Sequence, residues 1–468
     1  MFKDPQHIKQ LRIFKKKSNR VEKPSKIQSL QKIKQPTMSQ NLNQVPAKKG
    51  FSKNYWTVIL MEFFERGSYY GVMSVLSVYL VLSTTEGGLG FSKESVGVIK
   101  STITPLLYFL PILSGAIADR YGYRKTLFFA FAVMSTGYFL TSQMTSYTPV
   151  FLSLIFMAVG AGFFKPIISG TIARETNESN SSLGFGIYYW SINMGAFLVP
   201  LLLIPYLKSF SWTYIFLMAG FGTGWLLLVN FFIYKEPARP KTGKSVGQVL
   251  ADAVLVLKDY RFILMIIIYS GFWILYFQMF DSVLWFLKEK IDTTPVNGAI
   301  NSMLSLFIDK PNWHFDAEHV TVVNALTIIC LQLVISKIVN KFKALPTMIF
   351  GIGLGTMGIA MLAISSNVWV FIFGLFIFSL GEMTAHPKFI SYVGLIAPPD
   401  KKALYLGYSF LYGVIGSGVG GILGATLYVS LVEKQNNGFA FWGIFVLIGI
   451  ATMIGLLLFN KFLAPRKS

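Results

Sequence analysis

Cysteine is almost missing from this chain, which has Cys330 alone among its 468 residues. An internal disulfide and a cysteine cluster for a metal ion are therefore excluded. Charged residues are scarce as well, at 13% against 53% hydrophobic residues. Because an ordinary soluble protein carries more charge than this, the composition favours a membrane protein.

Acidic residues number 21 against 42 lysines and arginines, which gives a formal net charge of +21. Such a charge is compatible with nucleic-acid binding, but the basic excess lies outside the apolar segments, so no nucleic-acid partner is expected. The sequence has no Walker loop, no hydrolase triad and no histidine spacing that suits a metal. We therefore expect neither an enzyme nor a bound cofactor or metal.

Long apolar runs are abundant. From Tyr55 onward there are twelve, of roughly 19 to 29 residues, and about 20 suffice for a helix to cross a bilayer. They cover residues 55–82, 95–118, 126–144, 149–173, 184–207, 212–234, 261–287, 320–339, 346–365, 368–395, 404–432 and 439–462. The predicted fold class is an all-α membrane protein with twelve transmembrane helices.

The lysines and arginines of the loops indicate the orientation. With a cytoplasmic N-terminus, the inside loops hold most of these residues. The outside loops then hold chiefly Lys93, Lys208, Lys288, Lys290, Lys310 and Lys434. Both termini are therefore predicted to be cytoplasmic.

A polar inside loop divides the runs six and six, which predicts two six-helix bundles with a substrate path between them. The predicted regions are a basic disordered cytoplasmic tail (1–53), an N-terminal bundle (54–234), a cytoplasmic linker (235–260), a C-terminal bundle (261–462) and a short cytoplasmic tail (463–468). Met38 is an alternative start to Met1.

Three ionisable residues interrupt the first apolar run within one helical turn: Glu62, Glu65 and Arg66. Glu62 and Arg66 are i,i+4 neighbours in the favourable order. Charges inside a bilayer usually face a partner helix or a water-filled cavity. This cluster is our first candidate for a transport site, and a purely structural ionic network is the alternative.

The loop after the second run resembles the signature loop of the major facilitator superfamily, G-x-x-x-D-R-x-G-x-R-K. The matching residues are Gly115, Asp119, Arg120, Gly122, Arg124 and Lys125. We expect Gly115 to permit close helix approach and Asp119 to accept hydrogen bonds from backbone N–H groups at a neighbouring helix end.

Four further blocks resemble the proton-dependent oligopeptide transporter family. They are Glu62-x-x-Glu65-Arg66 with the aromatic-rich residues 67–71, Gly160 to Pro166 with Lys165, residues 184–195 with Asn193, and Gly381-Glu382 with Pro387. This resemblance implies proton-coupled symport of di- or tripeptides, with the proton gradient as the energy source.

The resemblance also implies roles for single residues. Proton coupling falls to Glu62, Glu65, Arg66 and Glu382, and substrate binding to Arg66, Tyr69, Tyr70, Tyr108, Lys165, Asn193, Trp273, Gln278 and Asn324. Each of the cavity residues has packing as its alternative role.

Lys165 and Glu382 lie 16 and 14 residues into their runs, which places both about 21 to 24 Å from the outer face. Because their charges are opposite and their bundles differ, we predict that they close a cytoplasmic gate. Arg66 comes near the same level.

The chain departs from the family in two places. Ser409 stands where a tryptophan is usual, so an aromatic wall of the cavity is missing or displaced. His386, one turn after Glu382, is a possible proton relay or a packed residue. Asp281 suits an outer gate, but the sequence offers it no obvious cationic partner.

The predicted function is a peptide–proton symporter in the cell (inner or plasma) membrane, with small-molecule substrate, protons and lipid as partners. Two alternatives stay open. One is a proton-coupled carrier or antiporter of nitrate, amino acids or drugs, and the other is a receptor-like relative without transport.

Overall fold

The computed structural model describes residues 50–177, 179–237, 245–398 and 401–463. The tail before residue 50, linker residues 238–244 and tail residues 464–468 lie outside this part of the chain. Predictions that concern them, including the disordered basic tail and Met38, are not addressed by the structure.

The described residues form helices joined by loops. Among these residues, β-type pairing is limited to an isolated bridge between Asp292 and Asn367. The first half contains α1 (Lys53–Met73), α2 (Leu76–Val81), α3 (Lys93–Tyr121), α4 (Tyr123–Gln143), α5 (Tyr147–Glu175), α6 (Ser181–Leu198), α7 (Ile204–Lys208), α8 (Thr213–Gly224) and α9 (Leu226–Phe232).

A further helix, α10 (Val246–Leu257), lies within the predicted linker. The second half contains α11 (Tyr260–Gln278), α12 (Ser282–Lys290), α13 (Thr294–Leu304), α14 (Glu318–Val339), α15 (Ala344–Ile364), α16 (Val368–Ile396), α17 (Lys402–Tyr408), α18 (Leu411–Leu427) and α19 (Gly438–Phe462).

Ten helices or joined helix pairs of the described residues are long and apolar enough to cross a membrane. Two predicted runs, 55–82 and 126–144, are helical but are not among these ten candidate membrane spans. In α1 the reason is charge, because Glu62, Glu65 and Arg66 lie in the middle of only 21 residues. In α4 the basic start and several hydroxyl side chains lower the mean hydropathy.

Local chemistry explains where these helices begin and bend. Ser52 caps α1 by accepting from the Tyr55 N–H at 3.0 Å, a common way to satisfy a free helix-start donor. Gly122 joins α3 to α4 with φ +109°, a backbone conformation that favours glycine. Proline interrupts the hydrogen-bond ladder inside α3, α5 and α16.

Helix packing follows the two halves of the chain. In the first half, α1 packs on α6 and α8, α4 on α5 and α8, and α3 on α5. In the second half, α15 packs on α16 and α19, α11 on α18 and α19, and α14 on α16. Extensive contacts between the halves are α3 with α18 and α6 with α14. The candidate site lies where these halves meet.

Candidate functional site

The charged residues of α1 form a closely bonded, buried cluster. Arg66 Nη2 donates to Glu65 Oε1 at 2.6 Å, and Arg66 Nε also bonds the Glu65 carboxylate. Glu62 Oε1 lies 3.8 Å from Arg66 Nε. Exposure is 3% for Arg66, 1% for Glu62 and 0% for Glu65. The predicted association of these three residues is present.

Glu62 is less well satisfied than Glu65. Its Oε2 atom is buried and has no hydrogen-bond partner among the described residues. A buried polar atom without a partner is costly, so this oxygen is suited to bind a proton or a substrate donor. The Arg66 guanidinium also lies 4.8 Å above the Tyr69 ring.

Glycines let α1 approach α6 backbone to backbone behind this cluster. A Cβ on Gly67 would come within 2.8 Å of Val199 Cγ2, and a Cβ on Gly195 within 2.8 Å of the Phe63 carbonyl oxygen. Any larger residue would force the helices apart. The glycines of both family-like blocks therefore fix the position of the charged turn.

A narrow polar cavity extends from Arg66 between the halves. Of the predicted binding residues, its lining includes Arg66, Tyr69, Tyr70, Tyr108 and Lys165. Its volume is about 40 Å³, which is room for a few water molecules but not for a peptide. A substrate of that size requires the halves to move apart.

A larger cavity of about 1070 Å³ lies between α1, α4, α6 and α8. Its lining carries no charged side chain, and hydrophobic residues such as Phe139 and Trp225 dominate it. Size therefore does not identify the candidate site, because the ionisable groups line the smaller cavity.

Lys165 lines the polar cavity, Glu382 is not among its lining residues, and the two side chains form no ion pair. Lys165 Nζ lies 5.4 Å from the centre of the Tyr108 ring, and within the described part of the chain it has no ion pair. Glu382 Oε2 accepts from Asn324 Nδ2 at 2.9 Å, and the same amide contacts Ser379 Oγ at 3.0 Å. The predicted gate between Lys165 and Glu382 is not closed in this structure.

Two other predicted binding residues form hydrogen bonds within their own surroundings. Asn193 Nδ2 donates to the Tyr189 carbonyl at 2.9 Å. Gln278 Nε2 donates to the Gly420 carbonyl at 3.0 Å, and Gln278 Oε1 accepts from Ser282. Gln278 is 0% exposed, so in this structure it ties α11 to α18 and does not reach the cavity.

Trp273, a further predicted binding residue, packs among aromatic rings, and its Nε1 atom has no hydrogen-bond partner among the described residues. Ser409 is buried, and Tyr412, one turn later, stacks on Trp273 with ring centroids 4.5 Å apart. His386 meets the edge of Trp273 at 5.3 Å. Its Nδ1 atom has no partner among the described residues, so the structure gives His386 an aromatic environment and no bonded proton path to Glu382.

Two expectations for the loop between α3 and α4 need correction. A Cβ on Gly115 would meet only Pro166 at 3.7 Å, an ordinary contact, so close helix approach does not require this glycine. Asp119 accepts from side chains, Arg174 Nη2 at 3.0 Å and Tyr123 Oη at 3.1 Å, instead of from backbone N–H groups.

The cations of this loop differ in their contacts. Arg124 bonds the carbonyl oxygens of Asn230 and Phe231, near the end of α9. Cations at a helix end of this kind are favourable. The Arg120 guanidinium lies 5.7 Å from the Tyr121 ring, and Lys125 is exposed.

Sequence reasoning missed the ion pairs that join the halves. Lys100 Nζ lies 3.0 Å from Asp281 Oδ1, and both residues line the cavity. Asp281 also accepts from Ser77 Oγ. Asp281 therefore has a cationic partner.

Two more lysines make the same kind of contact. Lys93 Nζ lies 2.6 Å from Glu289 and also pairs with Glu433. Lys208 Nζ lies 2.7 Å from Glu318 and 2.9 Å from Asp316. The seven-residue spacing of Lys93 and Lys100, which puts them on one face of α3, was an available signal.

Comparison with known proteins gives a consistent result. The sequence pattern of the Major Facilitator Superfamily matches residues 58–309 and 296–468. An uncharacterised Bacillus subtilis transporter, YclF, is 32% identical over 166 residues, 34% of each chain. A Lactococcus lactis di-/tripeptide transporter is 29% identical over 251 residues, 51% of this chain and 49% of that protein.

The alignments thus span a third to a half of the curated relatives' length. Among solved structures, a POT family transporter in complex with 5-aminolevulinic acid has a TM-score of 0.69 at 21% identity, covering 87% of this chain and 96% of that chain. This likeness concerns the fold. The chain belongs to the Major Facilitator Superfamily of multi-pass membrane proteins.

Proposed function

We propose that this protein is a proton-coupled symporter that imports di- and tripeptides by alternating access. The observation that carries the proposal is the buried cluster of Arg66 with Glu62 and Glu65, open to a polar cavity between the two halves. The names of the relatives support the substrate class, since they include di-/tripeptide transporters.

The charges suit a substrate with two charged ends. Arg66 and Lys165 line the cavity on the first half, and a guanidinium can bind a carboxylate through two parallel hydrogen bonds. Glu382, with the Asn324 amide beside it, belongs to the second half and lies within electrostatic range of Tyr70 and Tyr108. A peptide with its carboxylate toward Arg66 and Lys165 and its ammonium toward Glu382 would bridge the halves.

Proton coupling follows from the shared guanidinium. While Glu65 is ionised, its two oxygens occupy Arg66 Nε and Nη2. A proton on Glu65 removes its negative charge and makes one of these two oxygens a donor, so the two-bond contact is lost and Arg66 can bind a carboxylate instead. Uptake of a proton and of an anionic substrate end are thereby linked.

The membrane arrangement is part of the proposal. We infer twelve spans in two six-helix bundles, residues 54–234 and 261–462, with cytoplasmic termini in the cell membrane. The helix packing within each half supports the bundles, and the loop lysines support the orientation. In this orientation the ion pairs of Lys93, Lys100 and Lys208 lie on the outer side.

The open Lys165–Glu382 gate supports a state that faces the cytoplasm. With the outer ion pairs formed and the inner pair absent, substrate would leave toward the inside. Closing the inner pair while the outer pairs break would give the opposite state, as alternating access requires.

A carrier of another small anion is the second candidate. Two lysines, Lys100 and Lys165, line the cavity together with Arg66, and Ser409 removes an aromatic wall that the family usually has. No organic cofactor or metal enters either proposal.

Uptake by proteoliposomes distinguishes the candidates. Purified protein is reconstituted and given labelled dialanine with an acidic outside and a neutral inside. The symporter proposal predicts accumulation that collapses when a protonophore abolishes the gradient, and competition by di- and tripeptides but not by free alanine. Uptake of nitrate or free amino acids instead would favour the second candidate, and no flux of any solute would contradict both.

A further inference from the structure

The turn after α13 exposes a run of large apolar side chains. Leu306, Phe307 and Ile308, called here the apolar tip, are 75%, 83% and 53% exposed, and Met303 before them is 55% exposed. Single exposed apolar residues are ordinary, whereas several adjacent ones indicate an interaction surface.

The tip is held in place by the rest of its loop. Asn301 accepts from the Trp313 N–H at 2.8 Å and donates to the Trp313 carbonyl at 2.9 Å. Asn297 Oδ1 accepts from the Phe315 N–H at 2.8 Å. These bonds fold the returning chain onto α13, so the tip is a fixed projection of the loop.

The apolar face of α13 packs against the protein at the start of the helix and is exposed to the surroundings at its end. Val296 is buried and Ile300 packs against the core, and α13 contacts α16. Met303 continues this face at helical spacing and is exposed, and the apolar tip follows directly after α13 ends at Leu304. The face therefore leaves the protein at its edge, with apolar side chains and nothing packed on them in the described residues.

The position of the loop in the chain indicates the environment of the apolar tip. It joins two candidate membrane spans, which end at Lys290 and begin at Glu318, so it is at a membrane surface. On α16, Trp369 and Phe373 in the first turns are also exposed, as expected for side chains that face lipid. The loop that carries the tip is joined to this helix by contacts of α13 with α16 and by the bridge between Asp292 and Asn367.

We propose that the apolar tip inserts into the interfacial layer of the bilayer and anchors the loop to it. Lys310 follows the tip and Trp313 lies close by, and both residue types are favourable where hydrocarbon meets the headgroups. The anchor does not depend on which solute is carried, so it stands apart from the proposed function.

The single cysteine makes a direct test possible. Cys330 is replaced by serine, and an environment-sensitive fluorophore is attached at Met303→Cys, or as the control at Ser302→Cys. Ser302 is exposed as well, and as the preceding residue of α13 it points about 100° away from Met303 around the helix axis. Each labelled full-length protein is reconstituted in vesicles that contain phospholipid with a nitroxide near the headgroup.

We expect the nitroxide lipid to quench the Met303 probe and aqueous iodide to quench the Ser302 probe. Adding Leu306→Ser, Phe307→Ser and Ile308→Ser should lower lipid quenching at Met303 to the Ser302 value in protein that remains monodisperse. Equal lipid quenching of the two probes would overturn the proposal. Shielding from both quenchers together with disulfide cross-linking of two copies through Met303→Cys would also overturn it, because a second copy would then cover the tip.

Discussion

The Lys100–Asp281 pair is a buried ion pair that spans the two halves, with 5% and 7% of the side chains exposed. Removing one partner leaves the other charge buried without compensation, which costs about 3–5 kcal/mol. We expect Asp281→Asn to lower the unfolding temperature in detergent, and Lys100→Met combined with Asp281→Asn to restore part of the loss. Equal destabilisation by the single and the double variant would contradict a direct interaction.

Asp316 gives the contact between the halves a pH dependence. Burial alone would raise its pKa, but Lys208 and Lys288 outweigh burial, so the pKa of Asp316 lies below its ordinary value. A carboxylate with a lowered folded pKa adds stability above its unfolded pKa of about 4. That stability is lost as the pH falls through the folded pKa.

Asp316→Asn should therefore be less stable than the parent at neutral pH, and the difference should shrink below about pH 4. Thermal unfolding across this range measures it, and the exposed Asp309→Asn in the same loop is the matched control. A gap that stays constant with pH would rule out this role for Asp316.

Single residues also show how far sequence reasoning reaches. The contact of Arg66 with Glu62 and Glu65 was predictable because one helical turn brings them together. The bond between Asn324 and Glu382 joins two helices, and the sequence assigned both residues to the site without linking them. Asp281 lacked a predicted partner for the same reason, since Lys100 lies on a different helix.

At the level of helices, α1 and α6 approach each other closely beside the charged turn. A Cβ on Gly195 would lie 2.8 Å from the Phe63 carbonyl oxygen and 2.9 Å from the Gly67 nitrogen. Gly195→Ala should therefore push α1 outward, cost about 1–3 kcal/mol of stability and weaken uptake.

Gly186→Ala is the control on the same helix, because a Cβ there would have no atom within 4 Å. Unfolding temperature and uptake rate are measured for both variants. If Gly195→Ala behaves like Gly186→Ala, the backbone contact does not determine the position of the charged turn.

Helix boundaries were predictable where a cap or a polar loop marks them, and less so within apolar runs. The predicted run 55–82 is divided between α1 and α2 around Ser74 and Val75. Residues 199–203 and 428–433 are π-helical. Because the apolar pattern continues through these places, composition gives no sign of the change in backbone geometry.

For the whole molecule, the sequence predicted an all-helical membrane fold of the major facilitator type. It did not predict that Lys93, Lys100 and Lys208 all pair with carboxylates of the other half. Such pairs depend on how two separately folded groups of helices meet, and their partners are far apart in the chain. They also characterise one conformational state, whereas the sequence encodes all the states of the transport cycle.

The central claim is that a proton on Glu65 frees Arg66 for the substrate. The most direct test is labelled dialanine transport by Glu65→Gln in proteoliposomes, with the exposed Glu94→Gln as control. We predict that Glu65→Gln lowers accumulation driven by a pH gradient by about tenfold while counterflow exchange without a gradient persists, and that Glu94→Gln retains both. Unchanged gradient-driven accumulation in Glu65→Gln would contradict the account.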